Sequence, residues 1–117
     1  MPTIRDVVQA LARRQGVKAV IVLGRDGLPI DSQSHNGLDP DGVAAVVPAL
    51  VTACGSFGAA AACGSFDSGV VEFDGGMAMV TAVTPETLLA IVVDPQTNIG
   101  PLLYEIRKHR PAIAKLL

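Results

Sequence analysis

The sequence predicts an α+β domain of three layers, with one five-stranded antiparallel sheet between one long helix and two terminal helices. Three observations lead to this prediction. A long uncharged helical segment occupies the middle of the chain, short apolar strand segments joined by Gly-containing turns flank it, and helical patterns occupy both ends. The predicted order is helix, two strands, helix, three strands, helix, within a single domain over residues 1–117.

The two terminal helices are predicted from their capping residues and apolar spacing. Thr3 suits the N-cap of the first helix, Asp6 three residues further on makes an imperfect capping box, and Gly16 ends the helix. Thr97 or Asn98 caps the last helix. Both segments carry an apolar side, so both helices are expected to pack on the same face of the sheet.

The strands are predicted from short apolar runs between turn residues. They span residues 17–23, 28–34, 68–73, 77–83 and 88–93. The first strand is almost entirely apolar, which predicts burial on both of its faces. The second contains Pro29 and ends in four polar residues, which places it at an edge of the sheet. Tight turns join the strands on each side of the long helix, so these neighbours are antiparallel.

The long helical segment spans residues 39–66 and carries no formal charge after Asp41. Asp39 suits the N-cap and Pro40 the first helical position. Its bulkier residues recur at three- and four-residue steps, and this stripe is predicted to pack on the sheet: Val43, Val47, Leu50, Cys54, Phe57 and Ala61. Two stripes of small residues are predicted to meet a second surface closely, most simply the same helix of a second chain. They consist of Gly42, Val46, Ala49, Ala53, Ser56 and Ala60, and of Ala44, Pro48, Val51, Gly55 and Ala59.

Two other accounts of this helix stay open at the level of sequence. It is long enough to span a bilayer, but it is built mainly from Ala, Gly, Ser and Val and lacks an aromatic belt and flanking cations. No transmembrane segment is therefore predicted. Burial within a single monomer is the other alternative. Pro48, Gly55 and Gly58 are expected to bend the helix or to end it early.

The composition favours a protein that associates with other chains and argues against nucleic-acid binding. Hydrophobic residues make up 50% and charged residues 17% of the chain, which predicts apolar surface hidden in an oligomer or complex. Aromatic residues are only 3% and the net charge is -2, so no nucleic-acid partner is predicted. The first residues lack the apolar run of a signal peptide, and a cytoplasmic location is expected. Cys54 and Cys63 are expected to be buried thiols on opposite sides of the helix.

No catalytic, cofactor-binding or metal-binding residues are predicted, so the protein is not expected to be an enzyme. His35 and His109 are far apart in the sequence and have no neighbours at ligand spacing. Asp26, Asp74 and Asp94 lie at predicted turns, where aspartate satisfies the local backbone. No nucleophile has a recognisable base, and no phosphate-binding loop is present.

The last helix has a basic end, made by Arg107, Lys108 and Arg110. Pro111 is expected to close this helix or to start a short further one. The three cations are interpreted as stabilising the negative end of the helix dipole, in preference to contacts with an acidic partner or with lipid headgroups.

These elements, in this order and spacing, resemble the roadblock (dynein light-chain roadblock) family. The most telling segment is Arg25-Asp26-Gly27-Leu28-Pro29-Ile30, which is followed by a polar stretch. The resemblance covers nearly the whole chain. Its other parts are Gly16-Val17, the strand at 19–23, the helix led by Asp39, the hairpin at Gly75, the strand at 88–92 and the segment 98–103. The size suits a stand-alone bacterial or archaeal member.

The resemblance implies a homodimer, in which the long helices pair side by side and the third strands join edge to edge into one sheet. It also implies that the dimer binds and regulates a small Ras-like GTPase by reshaping the GTPase's own switch region, without inserting a catalytic residue. Together with the small-residue stripes, it predicts self-association through Val46, Ala49, Ala53 and Ala60 on the helix and Val70, Val71, Glu72 and Phe73 on the strand. The alternative function is a small-molecule-sensing or general scaffold domain without a GTPase partner.

Overall fold

The structure, a computed structural model, describes residues 2–117. Three helices and five strands occur within these residues, in the order that the sequence predicts. They are α1 (Ile4–Ala12), β1 (Val17–Gly24), β2 (Pro29–Ser34), α2 (Pro40–Ala60), β3 (Ser68–Phe73), β4 (Gly76–Thr84), β5 (Thr87–Val93) and α3 (Ile99–Ala114). The predicted α+β fold with a five-stranded antiparallel sheet is confirmed.

The helix caps lie where the sequence places them. The amide of Asp6 donates to Thr3 Oγ1 at 3.2 Å and the amide of Thr3 donates to Asp6 Oδ2 at 2.9 Å, which completes a capping box. Asp39 and Asn98 each accept a hydrogen bond from the amide two residues further on, at 3.1 Å and 3.2 Å. These side chains satisfy amides that have no partner within the helix, and they fix where α1, α2 and α3 begin.

The strand order in the sheet is β2-β1-β5-β4-β3. β1 and β5 lie side by side near the middle, with Ile21 opposite Ala90, so their apolar runs are buried on both faces. β2 and β3 form the two edges. The edge at β2 is protected against pairing with another strand, because β2 begins at Pro29 and because Arg5 of α1 binds Asp31 of β2 at 2.9 Å.

Two hydrophobic cores lie on opposite faces of the sheet. α1 and α3 cover one face, where the buried side chains include Val8, Val20, Met79, Ile91 and Ile106. α2 covers the other face, where they include Ile21, Leu23, Ala44, Val51 and Leu88. The sheet is therefore the middle layer of three, as predicted.

The face of α2 that packs on the sheet differs from the predicted one. Val47 is buried as expected, but Leu50 is 37% exposed and Phe57 is 74% exposed. Ala44 and Val51, which the sequence predicts to lie on a small outer stripe, are buried instead. The small side chain of Ala44 permits close approach on this side, and the helix is rotated accordingly about its axis.

The last helix is longer than predicted, and its cations do not lie at its end. Pro111 is inside α3, which continues to Ala114 and has no basic residue in its last turn. The interpretation of Arg107 and Lys108 as partners of the helix dipole is therefore wrong, because that interaction falls off within the last turn.

The two thiols also differ from expectation. Cys54 is half-buried and Cys63 is exposed, and neither forms a disulfide. The reason is that α2 ends at Ala60, and the chain then turns through Ala62, whose φ is 57°. Cys63 thus belongs to a loop and not to the helix.

Candidate protein-interaction surface

The outer side of α2 is an uncovered apolar surface. Val46 is 65% exposed, and Ala49, Ala53 and Ala60 are exposed on the same side of the helix. α2 is long and apolar enough to cross a membrane by length and composition alone, with a mean hydropathy of 1.8, and 17% of that window is buried. One stripe of it rests on the sheet, so the apolar remainder is available to a second surface.

The edge of β3 is a second open feature on the same part of the molecule. Within residues 2–117, β3 pairs only with β4, so the amides and carbonyls on its other side have no strand partner. Val71 lies opposite Ala78, on the face of the sheet that α2 covers, where Val80 belongs to the core. Val70 lies opposite Met79, which belongs to the core on the face that α1 and α3 cover. The predicted strand residues therefore alternate between the two faces of the sheet.

α2 and the β3–β4 hairpin enclose an apolar groove of about 360 Å³. Its lining includes Val46, Leu50, Phe73, Ala78, Val80 and Val92. Phe73 is 63% exposed at the end of β3, so a large aromatic side chain stands at the mouth of the groove. The groove connects the open helix face to the open strand edge, and the two features make one continuous surface.

The structure brings most of the predicted residues to this surface and adds two that sequence reasoning missed. Val46, Ala49, Ala53, Ala60, Glu72 and Phe73 are exposed, Val70 is 37% exposed and Val71 is half-buried. Leu50 and Phe57 are the additions, because the sequence predicts that they face the sheet. A helix that is apolar on every side gives little signal for its rotation, and only the sizes of its side chains could have indicated these two residues.

An ion pair from α3 anchors the segment that leads into β3. Arg110 donates from Nη1 to Asp67 Oδ1 at 2.6 Å and from Nη2 to Asp67 Oδ2 at 3.2 Å. The hydrogen bonds from Arg110, and then one from the hydroxyl of Ser68, lower the pKa of Asp67 from 3.8 to about 2. The carbonyl of Asp67 accepts from the amide of Ala82 at 2.9 Å, so this anchor holds the strand that carries the open edge.

The described part of the chain brings no three His, Cys, Asp or Glu side chains together in a group that can hold a metal ion. An apolar helix face that adjoins a free strand edge is characteristic of a protein-interaction domain. The sequence matches the model of the Roadblock/LC7 domain over residues 3–93. The chain belongs to the Roadblock/LC7 family.

Related proteins share both sequence and fold with this chain. The uncharacterised proteins MJ0310 and MJ1340 of Methanocaldococcus jannaschii are each 28% identical over 97 residues, which is 83% of this chain and 84% of theirs. MglB of Myxococcus xanthus has the same fold, with a TM-score of 0.85 and 21% identity over 97% of this chain and 93% of that one. A Roadblock/LC7 domain from Streptomyces avermitilis gives a TM-score of 0.79 and 22% identity, over 95% of this chain and 91% of that one.

Proposed function

We propose that this protein is a homodimeric adaptor or regulator of a small Ras-like GTPase in the cytoplasm. The observation that carries the proposal is the continuous uncovered surface made by the outer side of α2, the groove beside it and the free edge of β3. A surface of this kind is costly to leave in water and invites edge-to-edge pairing, so a partner is expected to cover it.

A second copy of the chain is the partner that fits both features at once. Two copies related by a two-fold axis present the same helix and the same strand edge to each other, so the contacts made by one copy are repeated by the other. Ala49, Ala53 and Ala60 have side chains small enough for two helices to approach closely. Pairing of the two β3 edges then joins the sheets and satisfies the unpaired backbone groups.

The GTPase part of the proposal rests on membership of the Roadblock/LC7 family and on the fold shared with MglB. In the proposed dimer, two α2 helices lie side by side on one face and form a broad platform. The regulator acts by holding the switch region of the GTPase in one conformation and contributes no catalytic side chain. A change in GTP hydrolysis would then follow from a shift between conformations of the GTPase itself.

The experiment has two stages. Solution mass is measured by light scattering over a wide concentration range, and by a labelled method at nanomolar concentration; a dimer is expected to persist. The dimer is then titrated against small Ras-like GTPases of the same organism, each loaded with GDP or with a non-hydrolysable GTP analogue, and binding that depends on the nucleotide is expected. A stable monomer that small molecules stabilise without any GTPase binding would contradict the proposal and favour a ligand-sensing domain.

A further inference from the structure

The charged residues of this chain are divided unevenly between its layers. Residues 2–14 and 99–117, which contain α1 and α3, hold seven of the nine Lys and Arg residues and two of the eleven Asp and Glu residues. Their formal charge is therefore +5, whereas residues 15–98 carry -7. The net charge of -2 conceals a basic layer on one side of the sheet and an acidic remainder.

Four cations of the basic layer are exposed and form no ion pair among residues 2–117. Three others are paired, since Arg5, Arg14 and Arg110 bind carboxylates. The four exposed cations are Arg13, Arg107, Lys108 and Lys115. Arg107 and Lys108 lie outside the last turn of α3, so the helix dipole does not account for these two, whereas Arg13 and Lys115 are the C-cap residues of α1 and α3. After the hydrogen bonds from Arg110, the charge of Arg107 also helps to lower the pKa of Asp67.

α3 carries Lys108 and Lys115 on its outward side, and we call these two, together with Arg107 and with Arg13 of α1, the basic face. Ile106 and Ile113 of α3 are buried in the core. At about 100° per residue, Lys108 and Lys115 point roughly opposite to Ile106. Tyr104 lies on the same outward side and is 70% exposed. Arg13, at the end of α1, adds a cation from the neighbouring helix, on the side of α1 where Gln33 and His35 lie.

We propose that the basic face docks on the anionic headgroups of a lipid bilayer. Clusters of four or more Lys and Arg residues on a helical surface attract anionic lipids, and each cation near such a membrane adds to the affinity. An exposed tyrosine suits the headgroup level, because its ring is apolar and its hydroxyl is polar. An apolar groove of about 260 Å³ between α1 and α3, lined by Leu11, Ile113 and others, opens in the same layer.

A membrane fits this face better than an acidic protein does. The cations of α3 are long, flexible side chains on an exposed helix surface, and they do not impose the fixed geometry that carboxylates of a folded partner require. Arg13 of α1 lines a small polar pocket with Gln33 and His35. A fluid layer of headgroups adapts to any spacing. The acidic remainder of the chain is repelled by the same membrane, so the charge division also orients the molecule, with α1 and α3 towards the lipid and α2 away from it.

One chain carries the basic face by itself, so the proposal goes beyond the GTPase adaptor role and does not depend on it. In the proposed dimer the two sheets are continuous, and both basic faces would lie on the same side. Membrane affinity would then rise by avidity, while the two α2 helices remain free for a protein partner. Loss of the dimer would weaken membrane binding without abolishing its dependence on charge.

The test is co-sedimentation with vesicles, one set of phosphatidylcholine alone and one of an equal mixture of phosphatidylcholine and phosphatidylglycerol. Binding to the anionic set only is expected in low salt, with loss at about 0.5 M NaCl because screening shortens the reach of the charges. Lys108→Glu should lower the partition coefficient by about tenfold. Arg25→Glu, an equal change of charge at an exposed residue outside the basic layer, should lower it less than twofold.

Several results would overturn the proposal. Equal losses in Lys108→Glu and Arg25→Glu would mean that only net charge matters. Binding to neutral vesicles that Ala53→Arg abolishes would identify α2 as the membrane contact. Retention on immobilised polyglutamate without vesicle binding would assign the face to an acidic protein. The absence of vesicle binding in low salt would also contradict the proposal.

Circular dichroism of each variant confirms folding, and Lys115→Glu provides a second substitution on the same face. The solution mass is recorded separately, so a failed dimer is distinguishable from a failed membrane contact.

Discussion

Arg110 of α3 binds both carboxylate oxygens of Asp67, at 2.6 Å and 3.2 Å, across 43 positions of sequence. Arg110 Nη1 also lies 3.4 Å from the carbonyl oxygen of Ala82 in β4. The guanidinium therefore connects α3, the entry to β3 and β4. A planar, two-point contact of this kind fixes geometry as well as charge, and it sets where the open edge of the sheet begins.

Asp67→Asn is expected to lower the free energy of unfolding at pH 7 by roughly 1 kcal/mol or less, because the carboxylate is largely exposed and solvent screens the pair. The side chain of Asp67 is 63% exposed, whereas that of Arg110 is 21% exposed. Urea denaturation measures the change. Asp74→Asn, at an exposed turn residue, is the matched control and should have no effect. Equal losses in the two variants would argue against a stabilising ion pair.

The same pair predicts how stability depends on pH. Arg110, and then Ser68, hold the pKa of Asp67 at about 2 in the folded chain, below its ordinary 3.8. A lowered pKa in the folded state gives stability that is present above the unfolded value and lost as pH falls through the folded value. The difference in stability between the wild type and Asp67→Asn should therefore be constant from pH 7 to about pH 5 and shrink between about pH 4 and pH 2. Urea titrations across this range measure it, and a difference unchanged at about pH 3 would contradict the assignment.

The elements of this fold could be predicted because their signals are local. The spacing of Thr3 and Asp6 indicates a capping box, and the apolar run of β1 indicates a strand that is covered on both faces. The Arg110–Asp67 pair carries no such signal, because its members are remote in sequence and neither belongs to a spacing pattern. Only the packing of α3 against the sheet brings them together.

The interaction surface could be predicted only in part, for a different physical reason. Exposure of Ala49 and Ala53 follows from the excess of apolar surface on α2, and the structure places both outward. The rotation of α2 does not follow, because its sides differ in side-chain size and hardly in polarity. Size suggested that Leu50 faces the sheet, whereas close packing at Ala44 turns Val51 inward instead.

The rotation of α2 can be tested at two adjacent residues, Val51 and Leu50. Val51 is 2% exposed and Leu50 is 37% exposed. Val51→Ala should cost roughly 2 kcal/mol of folding free energy, because it removes two methyl groups from a filled core. Leu50→Ala should cost less than about 1 kcal/mol, although it removes more atoms. Both are measured in an Ala53→Arg background, so that association does not contribute. A larger loss of folding free energy in Leu50→Ala than in Val51→Ala would support the rotation of α2 that the sequence predicts.

Ala53→Arg is expected to convert the proposed dimer into a monomer. The substitution would bury an unpaired charge where two small-residue stripes meet, and a buried charge without a partner is strongly destabilising. Sedimentation velocity measures the change in mass. Ala112→Arg places the same side chain on an exposed position of α3 and should leave the dimer intact. A variant at Ala53 that still sediments as a dimer would refute pairing through this side of α2.

Phe73→Ser tests whether the strand edge and the groove belong to the same interface as the helix. Phe73 is 63% exposed in the single chain, so its loss should change monomer stability little. A two-fold dimer would bury it twice, and burying a phenylalanine side chain contributes roughly 1.5–3 kcal/mol. Two such losses exceed about 3 kcal/mol, so the dimer Kd should rise by roughly a hundredfold or more, which dilution of a fluorescently labelled sample measures. Tyr104→Ser removes a similarly exposed aromatic ring from the opposite face and should leave the Kd unchanged. If Ala53→Arg raises the dimer Kd and Phe73→Ser does not, the helices pair but the end of β3 lies outside the contact. The two sheets would then not be continuous.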